Sequence, residues 1–335
     1  MLIILELSNL GKNELMTVPL RNLGNSTLLV SSVGMGCNNF GRPDTPTFAQ
    51  DVTTDVLTAA LDAGVTFWDT ADIYGLDYGM SELLMGEVVS ARRDEIVLAT
   101  KFGHTEFESP IAHVGSSGSR AYIRAAVEGS LERLGTDYID LYQHHTPDPA
   151  TPVEETLEAL NELISEGRVR NIGHTQYTPE QALHADEAAR RLGVTPFVSA
   201  QNEFSLLTRE AETGIIPVAR DLGLGFLPFF PLYNGLFTGK FDRNGGPADS
   251  RIMRIRQHLH AEAPWDAMDA LTEFARNRGL TMLEVTIGWL LAVPGLSSVI
   301  AGVTSADQIR ENAAAATSWS PTPEEFDEIS ELFAV

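Results

Sequence analysis

Three apolar stretches of the chain end on residues able to move a proton. Phe67-Trp68-Asp69 continues through Thr70-Ala71-Asp72-Ile73-Tyr74-Gly75, a second closes on Ala99-Thr100-Lys101, and a third on Leu141-Tyr142-Gln143-His144-His145. An Asp, a Tyr, a Lys and a His brought to one place could pass a proton to a carbonyl oxygen while hydride arrives at its carbon. A phenol with an ordinary pKa of about 10 is a poor acid near neutrality, but a neighbouring cation favours the phenolate and lowers that pKa. Lys101 can be that cation, Asp69 can keep it charged and oriented, and an imidazole can polarise the substrate oxygen. Tyr74 would then be general acid in reduction and general base in oxidation. Singly, each residue has a plainer explanation: a structural ion pair for Asp69 and Lys101, packing for Tyr74, rim positions for His144 and His145. The sequence alone leaves open which histidine faces inward.

Such a set needs a scaffold that brings successive strand ends to one rim. Short apolar runs recur at Val33 to Cys37, Val65 to Asp69, Ile96 to Lys101, Tyr138 to Tyr142, Val169 to His174, Phe197 to Gln201, Leu224 to Pro228 and Ser298 to Ala301, and read as buried strands. Between them lie helical periods. Ile123, Val127, Leu131 and Leu134 share one face with Arg124 and Glu128 opposite, and Val153, Leu157, Leu160 and Ile164 repeat the pattern. This alternation, without a break in composition, predicts an α/β fold: a single (β/α)8 TIM barrel with its reacting groups at the C-terminal strand ends. The segment from Phe229 to Pro264, after strand seven, is too long for an ordinary connection and reads as a lid or binding loop. Met282 to Leu291 and Glu324 to Phe333 read as extra helices. Residues 16–335 are expected to form the barrel domain, with 1–15 an N-terminal extension or a start-site artefact ahead of Met16.

The sequence of 335 residues has 23 Lys plus Arg against 46 Asp plus Glu, a formal charge of −23, and is 43% apolar. That apolar content excludes a disordered chain, and the charge argues against nucleic acid as a partner. Cys37 is the single cysteine, which excludes an intramolecular disulfide and a zinc site of several thiolates and suits a reducing cytoplasm. No run approaches the ~18 apolar residues of a membrane span, and Met1 to Leu5 lacks the basic flank and length of a signal core. His258-x-His260 has no carboxylate or thiolate at ligating spacing, so no metal is expected. Gly34-Met35-Gly36 is followed by Asn39, Pro43 and Pro46 where a Rossmann fingerprint needs a third glycine and a helix, and no phosphate-binding P-loop is present.

The Phe67-to-Gly75 stretch, the Ala99-Thr100-Lys101-Phe102 turn and Tyr138-Ile139-Asp140-Leu141-Tyr142-Gln143-His144-His145 occur in order and at barrel spacing, and resemble the aldo-keto reductase superfamily from about Leu20 to the end. Gly36-Cys37-Asn38-Asn39-Phe40-Gly41 is similar to a long-chain bacterial branch near the sugar 1-dehydrogenases and the potassium-channel β subunits. The resemblance implies a catalytic tetrad of Asp69, Tyr74, Lys101 and His145, with His144 at a variable position. It also implies a nicotinamide dinucleotide held without a Rossmann fold. Cys37 and Asn38 would lie under the nicotinamide together with Asp69, Thr175, Gln176 and Gln201 would bind its carboxamide, and Phe229 would stack on its ring. Thr175-Gln176 stands where the family more often has Ser-Asn. Phe230 stands where it usually has Ser, which leaves the diphosphate to Pro231, Leu232, Gly235 and Lys240. Gly302, Thr304, Gln308, Glu311 and Asn312 resemble the adenosine-binding turn, and Arg251 matches a phosphate-binding arginine suited to bidentate contact. NADP(H) is favoured over NAD(H).

The expected partner is a small carbonyl compound or sugar. Its pocket would be walled by residues from His104 to Ser119 and from Tyr233 to Pro264, with Phe40, Trp68, Tyr142 and His144. The expected activity is hydride transfer to an aldehyde, ketone or sugar. The rival is a nicotinamide-binding regulatory subunit that senses redox state without turnover. A Schiff-base aldolase using Lys101 is disfavoured because Asp69 would keep that amine protonated. The sequence does not distinguish a monomer from a homo-oligomer.

Overall fold

The computed structural model describes residues 18–107 and 109–334, so the expected start at Met16 and the extension before it lie outside the described residues. Two short strands, β1 (Leu20–Asn22) and β2 (Leu29–Ser31), form an antiparallel hairpin. The sequence reading did not foresee it. Eight parallel strands follow: β3 (Val33–Gly36), β4 (Phe67–Asp69), β5 (Val97–Phe102), β6 (Ile139–His144), β7 (Val169–Thr175), β8 (Ser199–Glu203), β9 (Gly225–Phe229) and β10 (Val299–Gly302). They pair in the order β10-β3-β4-β5-β6-β7-β8-β9. The two ends of that sheet meet where Phe226 bridges Leu296, with Phe226 N donating to Gly295 O (3.0 Å) and Ser297 N to Phe226 O (2.9 Å). The result is a (β/α)8 barrel, as the alternation of strands and helices required.

Side-chain alternation along each strand sorts the core into two layers. Phe67, Ala99, Leu141, Leu227 and Ile300 point into the barrel and pack with Leu23 and Val30 of the hairpin, which plugs the N-terminal end. Their sequence neighbours Trp68, Leu98, Tyr142 and Phe226 point outward and pack with the helices. Gly34 marks how tightly the interior is filled. A Cβ there would lie 2.9 Å from both Phe67 Cδ1 and Ser298 Oγ, so only glycine lets strand β3 pass the Phe67 ring.

The outer helices start and stop where local chemistry dictates. The helix Arg120–Leu134 begins on Ser119, whose hydroxyl accepts from Tyr122 N, and ends on Gly135 at φ 62°. It buries Ile123, Val127, Leu131 and Leu134, each worth about 1.5–3 kcal/mol relative to exposure. The helix Pro179–Leu192 opens on a capping box between Thr178 and Gln181. After β9 the chain makes a tight turn over Tyr233–Thr238 and then two short helices, Arg251–Ile255 and Gln257–Ala261, before the helix Trp265–Asn277. The extra helices occupy Met282–Ala292 and Pro323–Leu332. Among the described residues no helix is long and apolar enough to cross a membrane.

Candidate active site

Asp69, Lys101 and Gln143 lie on adjacent strands β4, β5 and β6, at positions whose side chains point into the barrel near its C-terminal rim. Lys101 is completely buried. Its Nζ donates to Asp69 Oδ2 (2.5 Å), to Thr70 O (2.9 Å) and to Tyr74 Oη (3.2 Å), so its three N–H bonds are all used. Asp69 Oδ1 in turn accepts from Gln143 Nε2 (3.0 Å) and Gln201 Nε2 (3.2 Å). A buried carboxylate with three charge-satisfying donors is held in one orientation, and so is the ammonium it faces.

His145 follows β6 directly, and its backbone N donates to Phe102 O (2.8 Å). Its ring meets Tyr74 edge-on at 5.9 Å and His104 at 4.6 Å between centroids. The structure therefore gathers Asp69, Tyr74, Lys101 and His145 on one rim. Burial, then the nearby Lys101, His104 and His144, push the His145 pKa well below the usual imidazole value, so the ring is neutral at neutral pH. Its buried Nδ1 has no hydrogen-bond partner among the described residues.

The acidity of the phenol departs from the sequence expectation. Burial raises the Tyr74 pKa above its ordinary 10; Lys101 opposes that rise and Asn38 donates to the hydroxyl, but the net direction is upward. Desolvating a phenolate costs more here than one ammonium returns, because that ammonium is shared with Asp69. Lys101 itself is raised: burial alone would lower it, and Asp69 and Tyr74 more than compensate. It is thus a charged lysine and a poor amine nucleophile.

Four residues expected in the substrate wall are elsewhere. Trp68 and Tyr142 are buried on the outward face of their strands among the helices, Trp68 bonding Val65 O through Nε1 (2.9 Å) and Tyr142 stacking on Phe102 at 4.7 Å. His144 also faces outward, stacked on Phe102 at 5.1 Å with its Nδ1 2.9 Å from Tyr177 Oη. Phe40 is fully buried in the same outer cluster, beside Cys37. Alternation explains all three strand residues: if Asp69 and Gln143 face the barrel, Trp68, Tyr142 and His144 cannot. The same parity puts His145 on the inner side. Gln143, which the sequence reading passed over, could have been found by it.

The residues expected at a dinucleotide occupy one arc of the rim. Cys37 is buried at the end of β3, its N donating to Asp69 O (2.9 Å), and Asn38 follows it. Thr175 Oγ1 and Gln176 Nε2 both donate to the His145 carbonyl, the latter at 3.2 Å, and Gln176 takes a left-handed φ of 59°. Phe229 and Phe230 are half-buried, edge to face at 5.4 Å, and Phe230 also has a left-handed φ of 52°. Pro231 and Leu232 are buried, and Gly235 turns at φ 93°. On the far side Gly302 ends β10, and Thr304 N and Oγ1 donate to Gln308 Oε1 at 2.8 and 3.2 Å in the turn before the helix Ala306–Ser318, which carries Glu311 and the buried Asn312. Lys240 lies within electrostatic reach of Glu311 and so faces that helix from the long segment. Neither Lys240 nor Arg251 forms an ion pair among the described residues, and Arg251 Nε is buried without a partner. A half-buried aromatic pair with cations beyond it that form no ion pair among the described residues fits a dinucleotide: an aromatic head and a phosphate-bearing body.

Comparison with known proteins agrees with this geometry. The model of the aldo/keto reductase family matches residues 32–334. The chain is 32% identical to L-glyceraldehyde 3-phosphate reductase of Escherichia coli (strain K12) over 94% of its own length and 92% of the relative's. It is 33% identical to probable aldo-keto reductase 1 of Glycine max, covering 88% and 83%, and 32% identical to a probable voltage-gated potassium channel subunit beta of Oryza sativa subsp. japonica, covering 87% and 89%. With a barrel of this order, a polar rim at its C-terminal end and a match of this length, the chain belongs to the aldo/keto reductase family, oxidoreductases that act on carbonyl compounds.

Proposed function

We propose that this chain exchanges hydride between NADP(H) and an aldehyde, ketone or sugar carbonyl, with Tyr74 delivering and recovering the proton. The observation that carries the reading is the 3.2 Å approach of Lys101 Nζ to Tyr74 Oη with Asp69 behind the lysine. A nicotinamide dinucleotide, when bound, supplies or accepts the hydride. In reduction Tyr74 gives its proton to the carbonyl oxygen, and the charge left on the phenol is stabilised by the adjacent ammonium. That stabilisation matters most as the proton leaves, since burial holds the resting phenol protonated. Neutral His145 donates to the same oxygen and orients it. Asp69, fixed by Gln143 and Gln201, keeps Lys101 charged throughout. In oxidation the proton moves back from the alcohol to Tyr74.

Phe229 would lie against the nicotinamide ring, Thr175, Gln176 and Gln201 near its carboxamide, Lys240 and the turn after Pro231 along the diphosphate, and Gln308, Glu311 and Asn312 at the adenosine. Arg251 would meet the 2′-phosphate, which is the reason to favour NADP(H). Fluorescence titration with NADPH and NADH, followed by steady-state turnover on a panel of aldehydes, ketones and sugars, tests the reading. Tighter binding of NADPH with measurable reduction is expected. The similarity to a channel subunit from Oryza sativa supports a second reading, a redox-sensing regulatory subunit, which tight dinucleotide binding without turnover would favour.

A further inference from the structure

In a chain with this excess of acid, most arginines are held by carboxylates. Arg92, Arg93, Arg124, Arg133, Arg209 and Arg278, for example, each have one within ion-pair distance. Arg42, Arg251 and Arg256 depart from that pattern. All three are half-buried, they lie within electrostatic range of one another at the mouth of the barrel, and none forms an ion pair among the described residues. Asp44, the acid within electrostatic reach of Arg42 and Arg251, is already engaged by Arg254, whose Nη2 lies 3.1 Å from Asp44 Oδ2. The cost of this crowding registers on Arg251, whose pKa burial first, and Arg42 and Arg256 next, lower to about 10. Like charges gathered in partial burial without counter-ions are unfavourable unless an anion joins them.

One of the three, Arg42, sits beside the reacting centre, and Arg256 lies within electrostatic range of Arg42. Arg42 Nε donates to Asn38 O (2.6 Å), and the Asn38 side chain bonds the Tyr74 hydroxyl, so this guanidinium is anchored one residue from the proton donor. Its Nη1 and Nη2 make no hydrogen bond among the described residues. Arg256 lies with Cζ 5.6 Å over the Phe230 ring, near Tyr233 and within reach of Glu203 but not paired with it. Phe230 is thus explained without the family's usual serine: its ring is the platform on which Arg256 rests.

Resting on the reductase reading above, we propose that Arg42 and Arg256 form an anion clamp for the substrate, and that the carbonyl compound this site prefers carries a terminal phosphate a few atoms from its reacting carbon. The two planar guanidiniums offer paired N–H donors matched to phosphate oxygens. Arg42 anchored beside Tyr74, with Arg256 in electrostatic range of it, makes the anion and the carbonyl parts of one small molecule, and Arg251, earlier on the long segment, remains with the dinucleotide. The phosphate holds the molecule while Tyr74 and His145 act on the other end.

Arg42→Gln, Arg256→Gln and the double variant, checked for wild-type melting and circular dichroism, are assayed with glyceraldehyde 3-phosphate and with glyceraldehyde at saturating NADPH. Loss of a hydrogen-bonded charge pair predicts that the ratio of kcat/KM for the phosphorylated to the unphosphorylated aldehyde falls about 10–100-fold, mostly through KM. The NADPH dissociation constant, read by fluorescence, is expected to stay within about threefold. An unchanged ratio, or a tenfold or greater loss of NADPH affinity, overturns the clamp; the latter gives these arginines to the dinucleotide. If no aldehyde is turned over, the reductase reading fails separately and calorimetry with inorganic phosphate decides. Binding to the wild type that the double variant loses upholds the anion site, and absent or unaltered binding removes it.

Discussion

Lys101 Nζ lies 3.2 Å from Tyr74 Oη and 2.5 Å from Asp69 Oδ2, so a single buried ammonium couples the end of one strand to a tyrosine in the loop after its neighbour. Because the lysine's third donor is fixed on Thr70 O, the charge cannot swing away from the phenol. The coupling is rigid, and on the proposed mechanism it acts on the phenol as the proton departs.

Replacing Tyr74 by Phe removes the proposed proton donor and little else, since the ring is retained. A positioned general acid contributes about 10²–10⁴-fold, so kcat for aldehyde reduction should fall by that factor while the NADPH dissociation constant moves less than about threefold. Retention of more than about a tenth of kcat would take the phenol out of the proton path.

Lys101→Met leaves the Asp69 carboxylate buried without its cation. Breaking a buried pair in this way costs about 3–5 kcal/mol, whereas neutralising both members costs less. The double variant Lys101→Met/Asp69→Asn should therefore melt at a higher temperature than Lys101→Met alone, although neither reduces aldehydes. Equal melting temperatures would mean that the orphaned charge of Asp69 is not what destabilises the single variant.

Much of this was legible in the sequence, for reasons that can be named. The eight barrel strands announced themselves because buried parallel strands are near-continuous apolar runs, and Asp69, Lys101 and His145 stand at their polar ends. Trp68, Tyr142 and His144 depart from the expected pocket because adjacency in sequence is not adjacency in space: side chains one residue apart on a strand face opposite sides. The β1–β2 hairpin escaped because three-residue strands carry no detectable period. The direction of the Tyr74 shift escaped for a different reason: a sequence shows which charges are present but not how deeply a hydroxyl is enclosed or how far one ammonium is shared.

Trp68 offers a direct test of that placement. Its ring is fully buried between strand and helices, with Nε1 on Val65 O, and it contributes nothing to the inner rim. Trp68→Phe should lower the melting temperature, through lost packing and one lost hydrogen bond worth about 1 kcal/mol together with the smaller ring's unfilled volume. Michaelis constants for carbonyl substrates should not change beyond about twofold. A selective change in KM without loss of stability would return this residue to the substrate wall.

Asp72, between Asp69 and Tyr74 in sequence, gives the fold a pH dependence of definite sign. The residue is fully buried, its Oδ2 accepts from Tyr78 Oη (2.5 Å), and its Oδ1 has no partner among the described residues. Burial first, and Glu82 second, raise its pKa from 3.8 to about 7, against the pull of Tyr78, Arg133 and Lys101. A carboxyl whose folded pKa exceeds its unfolded one binds its proton more tightly in the folded state. Its contribution is therefore fully present below about pH 4 and is lost as pH rises through about 7. At about 1.4 kcal/mol per pH unit, the swing across that window is on the order of 4 kcal/mol. Asp72→Asn cannot ionise and keeps an acceptor for Tyr78, so its melting temperature should fall less than that of the wild type between pH 4 and pH 8, leaving the variant more stable at the upper end. Parallel pH profiles for the two proteins would show that Asp72 titrates as an ordinary exposed carboxylate.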